Sequence, residues 1–189
     1  MTISKRLIAV ALAATLAGSL QPGAAQATDA APRARDGAHD FDFDLGVWHT
    51  QITRRLHPLT GSSESIQLTG TVTVRKLWNG RGQLEEIEAD GPNGHWEGMT
   101  VFLYDPEARQ WSMNFANSAT GRLATPMIGS FENGRGELIE QDTLDGRSIL
   151  VRVVWSDITP TSHTYEESYS ADGGRTWQLS FVARKTREG

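Results

Sequence analysis

A cation on an otherwise apolar strand face is the first sign of chemistry in this chain: Arg54 shares the two-residue period of Trp48, Thr50 and Ile52. If Trp48 turns inward, so does Arg54, and a buried guanidinium needs a carboxylate partner or an anionic ligand because an uncompensated buried charge is costly. Glu167, on the face of Tyr165 and Tyr169, and Glu86 or Glu88 are the candidate partners. The alternative is that Arg54 stands at an open rim in water. Glu85-Glu86-Ile87-Glu88 offers a carboxyl for proton transfer, since desolvation raises a carboxyl's pKa. Its plainer reading is the wet face of a strand.

Metal chemistry finds less support. His39, His49, His57, His95 and His163 show no i, i+2 or i, i+4 pairing of the kind metal sites use. Asp40, Asp42 and Asp44 resemble an oxygen-rich calcium loop, but Phe41 and Phe43 interrupt them, and Gln51 stands where such a loop wants a bidentate Glu. The competing reading has both aromatics plugging a barrel end while the acids face water or cap a short helical turn. The chain lacks cysteine, so thiolate chemistry and Cys-ligated metals are excluded. A Ser-His-Asp order and a Gly-rich phosphate loop are also missing. No cofactor and no metal are expected.

The elements that must position these groups are strands. From His39 onward the recurring period is two, punctuated by Gly, Asn, Asp and Pro. Ile66, Leu68, Gly70, Val72 and Val74 fall on one face, with Gln67, Thr69, Thr71, Thr73 and Arg75 on the other. Trp111, Met113 and Phe115 share a side, as do Ile149, Val151, Val153 and Trp155. Asn79-Gly80, Asn133-Gly134 and Asp145-Gly146 are tight-hairpin signals. About ten strands at short spacing predict an all-β, antiparallel up-and-down barrel, because a meander that closes leaves no exposed edge. A two-sheet sandwich is the alternative, and a β-propeller a more distant one.

Residues 1–27 read as a secretory signal peptide: Lys5 and Arg6, an apolar run from Leu7 to Leu20, then Ala25-Gln26-Ala27 as the cleavage site. An uncleaved anchor is the alternative, but that run is shorter than the ~20 residues a spanning helix needs. Residues 28–38, mixing Ala, Pro, Arg and Asp, form a flexible tether, and 39–189 a single domain. The expected address is exported, periplasmic or secreted, with no membrane span after cleavage. Formal net charge is −5, and the leader removes two cations and no acids. Such a surface argues against nucleic acid as a partner.

Gly46-Val47-Trp48, with Arg184, Lys185 and Arg187 closing the last strand, resembles the lipocalins and the wider calycin group. The resemblance implies that Trp48 packs at the closed end beneath a basic side chain, Arg187 or Lys185, as a cation over an indole face. In the nitrobindin branch of that group a lone His binds haem, a role His163 or His95 would fill here. His39 to Arg187 is also similar to an exported bacterial family of unknown function, presumed lipocalin-like. The shared features include Val74-Arg75-Lys76-x-Trp78-Asn79-Gly80, Asp90-Gly91-Pro92 and Pro126-Met127-Ile128-Gly129. Ser170-x-Asp172-Gly173-Gly174-x-Thr176-Trp177 resembles the Asp-box of sialidase-type propellers, there a repeated hairpin device and here a single copy.

These readings converge on a monomeric or weakly dimeric barrel that binds a small hydrophobic or amphipathic ligand. The candidate interior contacts are Trp48, Arg54, Trp111, Phe115, Trp155, Tyr165, Glu167 and Phe181. The competing functions are an enzyme (isomerase, cyclase or hydrolase) using interior Arg and Glu on the same scaffold, and a protein-interaction module using the barrel's outer face.

Overall fold

The structure, a computed structural model, describes residues 36–189. The expected signal peptide and most of the tether lie outside the described residues. Ten strands run in chain order: β1 (Gly46–Arg55), β2 (Ser65–Leu77), β3 (Gly82–Gly91), β4 (Gly94–Asp105), β5 (Gln110–Asn117), β6 (Met127–Glu132), β7 (Arg135–Leu144), β8 (Arg147–Ser156), β9 (Ser162–Ser170) and β10 (Gln178–Arg187). Each pairs antiparallel with its sequence neighbours, and β1 pairs with β10 to close the barrel. No sandwich or propeller arrangement is present among the described residues.

Local chemistry explains the turns. Asn133-Gly134 and Asp145-Gly146 both take positive φ at their two central positions, 52° and 77°, then 50° and 74°. That geometry matches the right-handed twist of the flanking strands. Gly70 serves a different need: a Cβ there would lie 2.0 Å from the Glu88 carbonyl oxygen, so only glycine lets β2 approach β3 this closely. The Asp-box segment builds the β9–β10 hairpin. Asp172 accepts from the Thr176 amide at 2.9 Å and its hydroxyl at 2.6 Å, while the Arg152 guanidinium lies over Trp177 at 4.2 Å.

One end of the barrel is sealed by the chain that precedes β1. Phe41, fully buried, packs its ring against Phe102, Trp111, Phe131 and Trp155 at centroid distances of 4.6, 5.0, 4.8 and 4.9 Å. A short 3-10 turn, Asp42–Asp44, follows. The chain bonded to the barrel reaches further back than expected: Asp36 accepts from the Tyr104 hydroxyl and the Gly37 carbonyl accepts from Trp111 Nε1. Residues 36–38, read as tether, are therefore bonded to the barrel.

The opposite end is looser. β5 and β6 share only the register Trp111↔Gly129 to Met113↔Met127, and the connecting segment folds back so that the Ala124 amide donates to the Phe115 carbonyl. A bulge in β10 between Leu179 and Phe181 resets the side-chain alternation. Leu179, which shares sequence parity with Phe181 and Lys185, is consequently turned out and 41% exposed.

Candidate functional site

Between the sealed end and the loose end lies a cavity of about 460 Å³. Its floor is ionic. Lys185 reaches across the barrel from β10 to Glu85 Oε2 at 2.6 Å and to both oxygens of Asp44 at 3.3 and 3.4 Å. His163 Nε2 lies 3.2 Å from Asp44 Oδ1, and Trp48 Nε1 donates to the Asp44 carbonyl at 2.7 Å. Burial alone would push the Asp44 carboxyl up, but the Lys185 ammonium and His163 outweigh it and hold the group below its usual range. The same pairing holds Lys185 above its ordinary value against desolvation.

The choice between the two terminal cations is thereby settled by depth. Arg187 lies over the Trp48 ring at 4.0 Å and donates to the carbonyls of Leu45, Phe43 and Pro160, which fixes it at the barrel end. Lys185, two residues nearer the middle, enters the interior. Asp44 is the main correction here: expected to face water or cap a turn, it is fully buried, because Lys185 gives it a partner inside.

Aromatic and aliphatic side chains make the cavity walls, with Phe115, Trp155, Tyr165 and Phe181 contributing most of the rings. Arg54 and Glu167 also line it, and Arg54 is exposed at the mouth, so its guanidinium is solvated as the rim alternative anticipated. Two expected contacts sit elsewhere. Trp48 is sealed beneath Arg187, and Trp111 is sunk into the Phe41 plug with its N–H on Gly37; neither lines the cavity. Glu86 and Glu88, proposed partners of Arg54, belong to the outer face of β3, where Glu86 lies 4.0 Å from Arg75. Strand parity gives the inner places to Glu85 and Ile87.

Two further carboxylates line the wall without having been expected there: Glu140 and Asp142 on β7. Glu140 Oε2 is buried without a hydrogen-bond partner. Burial, then the charges of Asp142 and Glu167, push the Glu140 carboxyl up to about 7. Desolvation also raises Glu167, opposed by a hydrogen bond with Tyr169 and by the Arg54 charge. A half-buried carboxyl titrating near neutrality can accept or deliver a proton under ordinary conditions. The register that carries these groups inward was present in the sequence as Leu138, Glu140, Asp142 and Leu144. It was hidden because Ile139, an apolar residue, faces out and is 38% exposed.

The histidines considered for haem do not face the cavity. His163 is buried between Asp44, Phe43 and Trp48, and His95 lies on the surface 3.0 Å from Asp90. Among the described residues no group of three or more His, Cys, Asp or Glu is arranged to hold a metal ion. No helix among them is long and apolar enough to cross a membrane.

No family model and no curated protein matches the chain. Solved structures do. The S-type phycobiliprotein lyase from Guillardia theta aligns over 82% of this chain and 94% of its own at 10% identity, with a TM-score of 0.55. A redesigned β-barrel, mFAP0, bound to DFHBI, aligns over 77% of this chain and 99% of its own at 12% identity, with a TM-score of 0.43. At such identity the likeness to the lyase is one of fold: a closed antiparallel barrel of lipocalin-like architecture.

Proposed function

We propose that this barrel is a container for one small, partly apolar molecule, held in the cavity between the Lys185 floor and the Arg54 rim. The observation that carries the reading is the cavity itself, about 460 Å³ and walled by aromatic rings with a few inward carboxylates. That is the size and mixed lining expected of a small-molecule site. Closure of the barrel through the β1–β10 pairing favours a monomer or weak homodimer.

The test is a thermal-shift and tryptophan-fluorescence screen of neutral aromatics and lipids, with 1-naphthalenemethanol among them. A bound compound quenches Trp155 and raises the melting temperature, since ligand at 100 times its Kd adds about 2.7 kcal/mol. Val151, 5% exposed, lines the cavity between Glu140 and Tyr169 in register. Val151→Trp should fill that space and weaken the bound compound by at least roughly tenfold, about 1.4 kcal/mol, with an unchanged circular dichroism spectrum. Absence of any shift across the screen would remove the container reading.

The chain is exported, and its motifs support membership of the exported bacterial family they resemble. The basic start, the apolar run and Ala25-Gln26-Ala27 support cleavage after Ala27. Expressed from its own first residue in a Gram-negative host, the protein should be recovered from the periplasm with Thr28 at its N-terminus. Recovery from the cytoplasm with residues 1–27 attached would overturn this.

A further inference from the structure

The charges on the cavity wall are unbalanced in one direction. At the floor, Glu85 and Asp44 share the single ammonium of Lys185. Above it, three carboxylates line the cavity, Glu140 and Asp142 from β7 and Glu167 from β9. Facing them are Arg54 from β1, exposed at the mouth, and Arg55, whose guanidinium is spent on the carbonyls of Leu179 and Ser62. Glu140 Oε2 is buried without a hydrogen-bond partner among the described residues. Burial disfavours the ionised forms of both Glu140 and Glu167, so a cationic group entering the cavity beside them would offset that cost.

The register shows how that group sits relative to the rings. Glu140 opposes Val151 on β8, which opposes Tyr169 on β9; one step deeper, Val153 opposes Glu167, which opposes Phe181. Asp142 is two residues nearer the mouth than Glu140 on the same strand. A molecule whose flat apolar body lies against Trp155, Tyr165 and Phe181 therefore presents its upper end to the carboxylates. Ring faces and carboxylates are both attractive to a cation.

We propose that the occupant is an amphipathic amine, an aromatic or alicyclic body bearing one ammonium group, with Glu140 as the principal acceptor of its N–H donors and Asp142 and Glu167 as supporting charges. This rests on the container reading and narrows its ligand class. An anionic ligand would meet Glu140 and Glu167 on the wall, with Asp142 and Arg54 both exposed at the mouth, and a neutral one would leave that excess of carboxylates unmatched.

The experiment compares three molecules of one skeleton by calorimetric titration: 1-naphthalenemethylamine, 1-naphthalenemethanol and 1-naphthoic acid. At about pH 8 the amine should bind at least roughly tenfold tighter than the alcohol, with the acid weakest. Glu140→Gln should weaken the amine by at least roughly tenfold and the alcohol by less, so that the preference collapses. The variant should melt no lower than wild type at that pH, because it removes a desolvated charge rather than a partner. Amine affinity should also rise between about pH 6 and pH 8 as Glu140 ionises, while the alcohol stays flat. Equal binding by the three, tightest binding by the acid, or an amine preference that survives Glu140→Gln would each overturn the amine proposal and leave the container standing. Binding by none of the three, with no shift in the wider screen, would overturn both.

Discussion

Asp44→Ala should cost the barrel about 3–5 kcal/mol, the range for breaking a buried ion pair by deleting one partner. Asp44 is fully buried and accepts from Lys185 while lying 3.2 Å from His163, so its removal leaves a buried ammonium with only Glu85 and takes the carboxylate away from a buried imidazole. Asp44→Asn keeps the shape and one acceptor, and should cost less. Urea denaturation at neutral pH measures both. A loss below about 1 kcal/mol for the alanine variant would show that the floor is not the anchor described here.

The pH dependence of that variant follows from linkage. The Asp44 carboxyl is held below its ordinary value in the folded chain, so its contribution is present above the unfolded value and is lost as pH falls through the folded one. The Asp44→Ala protein should therefore show a flatter acid limb than wild type. Lys185 behaves in the opposite sense. Its value is raised by folding, so its contribution is present below the unfolded value and disappears as pH climbs through the folded one.

Phe41→Ala should be comparably damaging, about 3–5 kcal/mol, because it empties the centre of the plug. Four rings from β4, β5, β6 and β8 lie 4.6 to 5.0 Å from its centroid, and Gln83 Nε2 donates to its backbone carbonyl at 3.0 Å. For a domain of this size the melting temperature should fall by roughly 6–20 °C. Phe41→Leu retains most of the volume and should lose less than half as much. Equal losses for the two would mean that the specific ring contacts, and not the filled volume, hold the plug together.

Much of the architecture was legible because strand alternation is a local property. Ile66 to Val74 and Ile149 to Trp155 announce their inner faces through residue type alone, and Asn-Gly or Asp-Gly marks the turns between runs. Trp48 as the lid residue was equally readable from Gly46-x-Trp48. Where alternation misled, a physical cause is identifiable. Leu179 faces outward because a bulge inserts a residue before Phe181, and a bulge has no compositional signature in Gln178-Leu179-Ser180-Phe181. β7 reads as a polar strand, yet Glu140 and Asp142 line the cavity because Leu138, on the same face, is anchored in the core.

The candidate site was only half visible for a related reason. Arg54, Phe115, Trp155, Tyr165, Glu167 and Phe181 were reachable by counting in twos from an inward tryptophan, and all six line the cavity. Asp44, Glu85, His163 and Lys185 were not recognisable as one cluster, since they come from the plug, β3, β9 and β10. Their meeting depends on ring closure and on how far each side chain reaches across the barrel.

By itself, then, the order of residues determined that this chain forms antiparallel strands, where they turn, and which face of most of them is dry, because those choices are made between near neighbours along the backbone. The tertiary structure alone decided that the cylinder encloses space instead of packing to its axis, and that the buried ammonium of Lys185 is neutralised while Glu140 keeps an unpartnered oxygen. Those outcomes depend on the summed volumes and charges of side chains from all around the barrel, quantities that no local stretch contains.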